Sequence, residues 1–342
     1  MGNGLFTSLG VGLVSAVGIS ASAASNAVFV PSLVGQEKHC IAMFGQQANQ
    51  AYVRVPGTFC YRDGDLLELS RYYWQYAVLS ESAYLDDSRK IRDPLDIEAD
   101  IATCSKEAAA GFSKRWRRWS DFPKAEFAAL AADHGLYLDV WSNDDERTVV
   151  VAMRGTEFTS FTDWLTNFRW VRISRFFPGF SDQYSDISTG FAQQFVDELA
   201  RQHPDLDVQI HATGHSLGGG LAQHFAYSVA LTTSDGRPVP RVSQVFAFNS
   251  SPVTGWSSVE DKKVRDANAE KLQIHRIFEH GEVLAYPRRL IGYVVAPKSE
   301  KPTIWEVRFN FQETGNIVGN HAMRALSCSF IKSAYPTVRA LP

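Results

Sequence analysis

The sequence has no excess of basic residues. Its 342 residues include 34 Lys and Arg against 37 Asp and Glu, which gives a formal net charge of -3 at pH 7. Proteins that bind nucleic acid through its phosphates usually carry a basic surface, so we expect no nucleic-acid partner. The one dense basic run, at residues 114–118 beside Trp116 and Trp119, fits contact with anionic lipid headgroups or, more simply, a solvated helix face.

Cysteine is scarce, and its spacing argues against a structural zinc site. The four cysteines are far apart and form no CxxC pair: Cys40, Cys60, Cys104 and Cys328. Because such zinc sites use closely spaced ligand pairs, we expect no metal, and no feature implies an organic cofactor. An even number of cysteines fits two disulfides in an exported chain, but buried free thiols fit equally well.

Charged side chains are absent before Glu37. Residues 5–19 are apolar and rich in Gly, Ala and Ser, and residues 21–23 have the small-x-small form of a signal-peptidase site. The usual positive segment is missing, and Gly and Ser interrupt the run too often for a confident transmembrane helix. We predict a signal peptide at residues 1–23, with a hydrophobic anchor or a disordered tail as alternatives. The expected location is secreted or membrane-associated, with the cytoplasm as the alternative.

The rest of the chain alternates between helix-like and strand-like segments. Amphipathic spacing predicts helices at residues 72–84, 125–135, 191–202, 217–231 and 323–334. Short apolar runs predict strands at residues 137–141, 148–153, 208–212, 242–248, 272–278 and 303–311. This alternation predicts an α/β fold with a mostly parallel sheet covered on both faces, and ligand sites at the carboxyl ends of its strands. The charged residues 86–100 are expected to form a loop. We assign residues 24–71 to an N-terminal extension and residues 72–335 to a catalytic domain.

One serine stands in the pattern G-x-S-x-G, at residues 214–218, between a predicted strand and a predicted helix. In that context the pattern is typical of a nucleophile on a tight strand-to-helix turn. Side chains at the two glycine positions would collide with the neighbouring strand and helix. The turn raises the Ser216 hydroxyl and puts the N–H of Leu217 at a helix N-terminus, where it stabilises an oxyanion. A glycine-rich packing turn is the alternative interpretation.

A serine nucleophile needs a histidine base that a carboxylate orients. On this type of fold the chain order is serine, acid, histidine. His321 follows Ser216 in a Gly- and Asn-rich loop between the last predicted strand and the last predicted helix, so we predict that it is the base. The acid is expected where the strand at residues 272–278 ends. We prefer Glu282, in the loop beyond the strand, to Glu279 at its last residue.

Several segments together resemble class 3 (fungal-type) lipases of the α/β-hydrolase superfamily. VVVAMRGTEF at residues 149–158 resembles their strand and RGT turn, and TGHSLGGGLA at residues 213–222 resembles their nucleophile turn. RIFEHGEVLAYP at residues 276–287 aligns with the segment of their aspartate, which falls on Glu282, while an asparagine falls on Glu279. GNHAMRAL at residues 319–326 resembles the region of their histidine. The resemblance covers about residues 72–334 and is loosest at the acid.

The resemblance implies an α/β-hydrolase fold with a lid. It makes Thr156 a second oxyanion donor beside Leu217, gives Arg154 a structural role, and places the lid at residues 157–171. Apolar lid side chains would contact the lipid–water interface, although aromatic residues in such a pattern are also typical of a core. The lid residues expected to touch substrate are Phe158, Phe161, Trp164, Leu165 and Phe168.

We therefore expect a serine hydrolase that cleaves carboxylic esters of lipids, as a triacylglycerol lipase or a phospholipase A, through an acyl-enzyme on Ser216. One alternative is a catalytically impaired hydrolase fold that binds lipid. Another is a small-ester esterase or an acyltransferase. The expected partner is a lipid substrate at a membrane or lipid interface. The sequence leaves the oligomeric state and the acyl-chain preference open.

Overall fold

The computed structural model describes residues 33–39, 48–84, 93–155, 183–282, 284, 295–311 and 322–336. Within these ranges, ten strands form one sheet. They are β1 (Val34–His39), β2 (Gln50–Arg54), β3 (Tyr61–Gly64), β4 (Arg117–Arg118), β5 (Leu138–Asn143), β6 (Thr148–Met153), β7 (Gln209–His215), β8 (Val242–Phe248), β9 (Gln273–Glu279) and β10 (Thr303–Asn310).

The sheet has a parallel centre and antiparallel flanks. Its strand order is β1-β3-β2-β10-β9-β8-β7-β6-β5-β4. Neighbours from β6 to β10 pair in parallel, whereas β5 and β4 on one side and β2, β3 and β1 on the other pair antiparallel. All six predicted strands are present. The predicted α/β class with a mostly parallel central sheet is therefore confirmed.

Helices cover both faces of this sheet. They are α1 (Leu66–Ser82), α2 (Pro94–Cys104), α3 (Lys106–Ala109), α4 (Phe112–Arg115), α5 (Ala125–Asp133), α6 (Ala192–Gln202), α7 (Leu217–Ser228), α8 (Lys262–Ala269) and α9 (Met323–Ala334). A π-helical turn, Asp186–Phe191, leads into α6. The predicted lid, residues 157–171, lies outside the described residues.

Two hydrophobic cores lie on opposite sides of the sheet, and β6 contributes to both. Val149 and Val151 pack into the core under α5, α6 and α7. Val150 and Ala152 pack into the core under α1, α2 and α9. Successive side chains of a strand point to opposite faces, and a parallel strand covered on both sides reads as one apolar run. This double burial explains why the sequence signal for the central strands is strong.

Helices α1 and α2 differ from the sequence prediction for reasons that their capping residues explain. Helix α1 begins at Leu66, before the predicted start at residue 72, because Asp65 caps it by accepting a hydrogen bond from the N–H of Glu68 at 3.0 Å. The predicted loop at residues 86–100 is wrong for its second half, where α2 begins at Pro94. Asp93 and Asp96 form a capping box there, and proline at the first helical position is favourable.

The predicted N-terminal extension contributes strands to the same sheet. Strand β2 pairs antiparallel with β10 over five residues, from Gln50 opposite Asn310 to Arg54 opposite Glu306. Strand β3 then pairs with β2, and β1 with β3. These strands are short and polar on one side, so the sequence pattern did not predict them.

The basic run is divided between a short helix and an edge strand, and its contact with lipid headgroups stays a prediction. Only its first part is helical, in α4, and Arg117–Arg118 forms the edge strand β4. Trp116 and Trp119 are each only 1% exposed and pack into the two cores. The solvated-helix interpretation therefore holds for Lys114 and Arg115 and is wrong for Arg117 and Arg118, which lie in a strand.

A disulfide between Cys104 and Cys328 joins the end of α2 to α9 across 224 residues of sequence. Cys60 is also disulfide-bonded. For these three residues the disulfide alternative is confirmed over free thiols. A cross-link of this kind typically stabilises a fold by about 2–4 kcal/mol. Across the described ranges, no helix is long and apolar enough to cross a membrane, and no group of His, Cys, Asp and Glu is arranged to hold a metal ion.

Buried tyrosine–histidine pairs tie α1 to the sheet. The hydroxyl of Tyr73 is hydrogen-bonded to Nδ1 of His275 at 3.0 Å, and that of Tyr76 to Nδ1 of His211 at 2.9 Å. Burial lowers the pKa of His211 to about 3 and, with a smaller contribution from His211, the pKa of His275 to about 3. Both imidazoles are therefore neutral in the folded protein at pH values where the unfolded chain binds protons.

This difference predicts a loss of stability in mild acid. An unfolded histidine has a pKa near 6.5, so the contribution of each of these histidines to the free energy of unfolding is constant above about pH 7.5 and falls as the pH decreases from 6.5 toward 3. Between pH 7 and pH 5, each of the two histidines should lower the free energy of unfolding by roughly 2 kcal/mol. Urea unfolding at pH 7 and at pH 5 measures this difference in unfolding free energy. In the His275→Gln variant the difference should be smaller by the contribution of one histidine. An unchanged pH dependence in that variant would contradict the assignment.

Candidate active site

Ser216 occupies a strained turn between β7 and α7. Its φ is 56° and its ψ is -122°, a combination that residues with a side chain rarely adopt and that costs about 1–3 kcal/mol. The surrounding main chain holds it there. The N–H of Ser216 donates to the carbonyl of Phe248 at 2.9 Å, and its carbonyl accepts from the N–H of Ser251 at 2.9 Å. The turn therefore presents a buried serine at the carboxyl edge of the parallel strands.

Glycines on both sides of Ser216 are required by close backbone contacts. A Cβ atom on Gly214 would lie 2.3 Å from the carbonyl oxygen of Gly218, and one on Gly218 would lie 2.2 Å from the carbonyl oxygen of Met153. Neither contact can be relieved by turning a flexible side chain, because both involve main-chain atoms. The predicted reason for the G-x-S-x-G pattern is thereby confirmed.

The serine lies beside the start of α7 and the turn after β6. Leu217 is the first residue of α7, so its N–H has no acceptor within the helix and lies at the positive end of the helix dipole. The turn after β6 packs against the same point, since a Cβ on Gly155 would lie 3.2 Å from Cβ of Ser216. Arg154 is buried, with its guanidinium carbon 3.7 Å from the centre of the Tyr137 ring. This contact suits the structural role expected of Arg154.

Both candidate carboxylates are buried near the end of β9. Glu279 is the last residue of that strand, and its Oε1 accepts a hydrogen bond from the N–H of Phe311 at 2.9 Å, which ties β9 to the end of β10. Glu282 follows the turn at Gly281, and its Oε2 accepts from the N–H of Leu284 at 2.9 Å. Glu279 thus joins two strand ends, whereas Glu282 stands in the loop beyond them.

Several predicted site residues lie outside the described residues. These are the base His321, the oxyanion donor Thr156, and the lid residues Phe158, Phe161, Trp164, Leu165 and Phe168. The flanks of His321 are described: Phe311 follows β10 and Ala322 precedes α9. Since β7 and β10 run parallel in the sheet, Phe311 lies at the same edge of the sheet as Ser216. The assignment of His321 stays a prediction.

Two other histidines that follow Ser216 make structural contacts. His275 is bound to Tyr73 inside a core. In α7, Nδ1 of His224 is hydrogen-bonded to the carbonyl of Gly255 at 3.0 Å, and its Nε2 contacts the hydroxyl of Ser188. Burial is the main cause that lowers the pKa of His224 to about 4. Both contacts fit the expectation that neither is the base.

The structure adds one side chain that the sequence analysis missed. The hydroxyl of Tyr84 is hydrogen-bonded to Nδ1 of His215 at 2.8 Å and would lie 3.0 Å from a Cβ on Gly155. It therefore sits between the turn after β6 and the residue that precedes Ser216. Tyr84 stands at the end of a helix with no motif around it, so only the tertiary structure brings it to the site.

A family model for class 3 lipases matches residues 150–285. That segment contains β6, the turn at Ser216, and both Glu279 and Glu282, so the resemblance expected from the sequence is confirmed there. The chain matches none of the curated proteins at a significant level.

Solved structures similar to the chain include fungal lipases. Lip2 lipase from Yarrowia lipolytica is 17% identical, with 75% of this chain and 93% of that chain covered and a TM-score of 0.40. The Rhizomucor miehei lipase propeptide complex is 15% identical, with 89% and 90% covered and a TM-score of 0.39. Lipase II from Rhizopus niveus is 18% identical, with 69% and 78% covered and a TM-score of 0.39.

Proposed function

We propose that the chain is a serine hydrolase that cleaves carboxylic esters of lipids through an acyl-enzyme on Ser216. The observation that carries the proposal is the strained turn at Ser216, held by Phe248 and Ser251. Backbone strain that the surrounding structure enforces is typical of functional positions. A packing turn alone would need the glycines but not a serine at positive φ.

The proposed reaction begins when His321 takes the proton of the Ser216 hydroxyl as its oxygen attacks the acyl carbonyl. The N–H groups of Leu217 and Thr156 stabilise the oxyanion, and Glu282 holds the imidazolium. His321 then gives the proton to the leaving alcohol, and the acyl group stays on Ser216. Water, activated by His321, attacks this ester, releases the carboxylic acid and restores the serine. The buried site strengthens these charge interactions because its effective dielectric constant is low.

A lipid ester is the proposed substrate for two reasons. The class 3 lipase match spans the segment between β6 and α6, which includes the aromatic residues proposed as a lid. The aromatic residues proposed as a lid would suit an acyl chain or a lipid surface better than a small polar ester. The Cys104–Cys328 disulfide is in turn compatible with an oxidising compartment, which supports the proposed secretion.

Hydrolysis of p-nitrophenyl esters tests the nucleophile and the substrate class together. We expect release of p-nitrophenol from palmitate faster than from butyrate, and a loss of at least about 10⁴-fold in kcat/KM for Ser216→Ala. Preference for butyrate would favour a small-ester esterase. Absence of turnover of both esters and of phospholipid would favour the lipid-binding alternative, and activity retained by Ser216→Ala would contradict the proposal.

A matched pair of variants assigns the acid. The amide oxygen of glutamine still accepts a hydrogen bond from the N–H of Phe311 at position 279 or of Leu284 at position 282. Both changes therefore remove the charge with little change in shape. We expect Glu282→Gln to lower kcat by about 10³–10⁴-fold. For Glu279→Gln we expect kcat within tenfold of the original value, which corresponds to a change in activation free energy on the order of 1 kcal/mol. The reverse order of effects would transfer the role to Glu279.

A further inference from the structure

One row of residues crosses the sheet from the nucleophile to a buried arginine. His215 is in register with Phe248, so Ser216 and Asn249 follow at the same level. Phe248 is in register with Ile277 on β9, so Phe278 lies level with Asn249. Phe278 is in turn in register with Arg308 on β10. Adjacent strands lie about 4.8 Å apart, so Arg308 is three strands, or about 14 Å, from Ser216. The arginine belongs to the same edge of the sheet but not to the catalytic contacts.

Arg308 is buried beside two aromatic rings. It is 6% exposed, and its guanidinium carbon lies 4.7 Å from the centre of the Tyr61 ring and 5.3 Å from that of Phe278. One Nη2 hydrogen points to the hydroxyl of Tyr61 at 3.3 Å. Its Nε is buried and has no acceptor among the described residues. Two aromatic rings thus contact the guanidinium, while its Nε has no acceptor among the described residues.

Among the described residues, Arg308 forms no ion pair with a carboxylate. In the described part of the chain, Glu306 is paired with Arg54 at 3.0 Å, and neither Glu306 nor Asp63 lies within the 4.0 Å of an ion pair with Arg308. The buried arginine Arg54 is therefore paired with a carboxylate, whereas Arg308 is paired with none in the part of the chain that the structure describes. A buried charge without a counter-charge is costly, and a chain keeps such a group where the charge is used.

We propose that Arg308 binds an oxyanion, a carboxylate or phosphate group on a small molecule or lipid. A guanidinium presents a planar fork of N–H donors that matches either group. The Tyr61 hydroxyl supplies a second donor, and the rings of Tyr61 and Phe278 provide apolar contact for the atoms next to the anion. The site goes beyond the proposed esterase reaction and does not depend on it.

Anion titration of the full chain tests the site without an activity assay. In a buffer free of phosphate and carboxylates, the unfolding temperature should rise with inorganic phosphate or with hexanoate at constant ionic strength, and not with chloride. The anion with the lower Kd identifies the chemical group. Arg308→Gln should weaken that Kd by at least about tenfold, whereas the exposed control Arg241→Gln and the variant Ser216→Ala should match the original chain.

A second comparison separates binding from a structural role. Without added anion, Arg308→Met should unfold at the same temperature as the original chain or higher, because it removes an unpaired buried charge. If Arg308→Gln does not fold, Arg308→Lys keeps the charge, loses the fork, and should still weaken the Kd. The proposal is overturned if neither anion stabilises the original chain more than chloride does. It also fails if a folded Gln or Lys variant retains the original Kd, or if Arg308→Met unfolds well below the original chain.

Discussion

The backbone conformation of Ser216 is the constraint on which the rest of the site depends. A serine at a φ of 56° is unfavourable by itself, so it persists only because the hydrogen bonds to Phe248 and Ser251 and the contacts of the flanking glycines leave no alternative. Those partners come from β6, β8 and the loop after β8. The strain can therefore be maintained only when the centre of the sheet is assembled.

The sheet in turn is held by side chains that serve both faces. Alternate residues of β6 enter opposite cores, and α1 is joined to β7 and β9 by buried tyrosine–histidine pairs. The same helix ends near the nucleophile, where Tyr84 meets His215. Packing of α1 thus fixes the back of the site, while the Cys104–Cys328 disulfide fixes α9, which follows the segment of His321.

The sequence predicted what depends on local pattern and missed what depends on distant partners. The central strands were predictable because burial on both faces makes them continuously apolar, and the nucleophile turn because its steric needs dictate glycine. The short strands β1 to β3 were missed, since their stability comes from pairing with β10. Helix α2 was missed because its charged residues resemble a loop, although the capping residues Asp93 and Asp96 were visible. The contact of Tyr84 with His215 spans 131 positions, a separation that no local signal reports.

The central claim, that the folded turn activates Ser216, is tested most directly by covalent labelling. A fluorophosphonate reacts with a serine whose hydroxyl is deprotonated by a neighbouring base and whose oxyanion is stabilised. Peptide mass spectrometry should find a single adduct, on Ser216, in the folded chain, and no adduct after unfolding in urea. Absence of labelling in the folded chain, or an adduct on a different serine, would contradict the account.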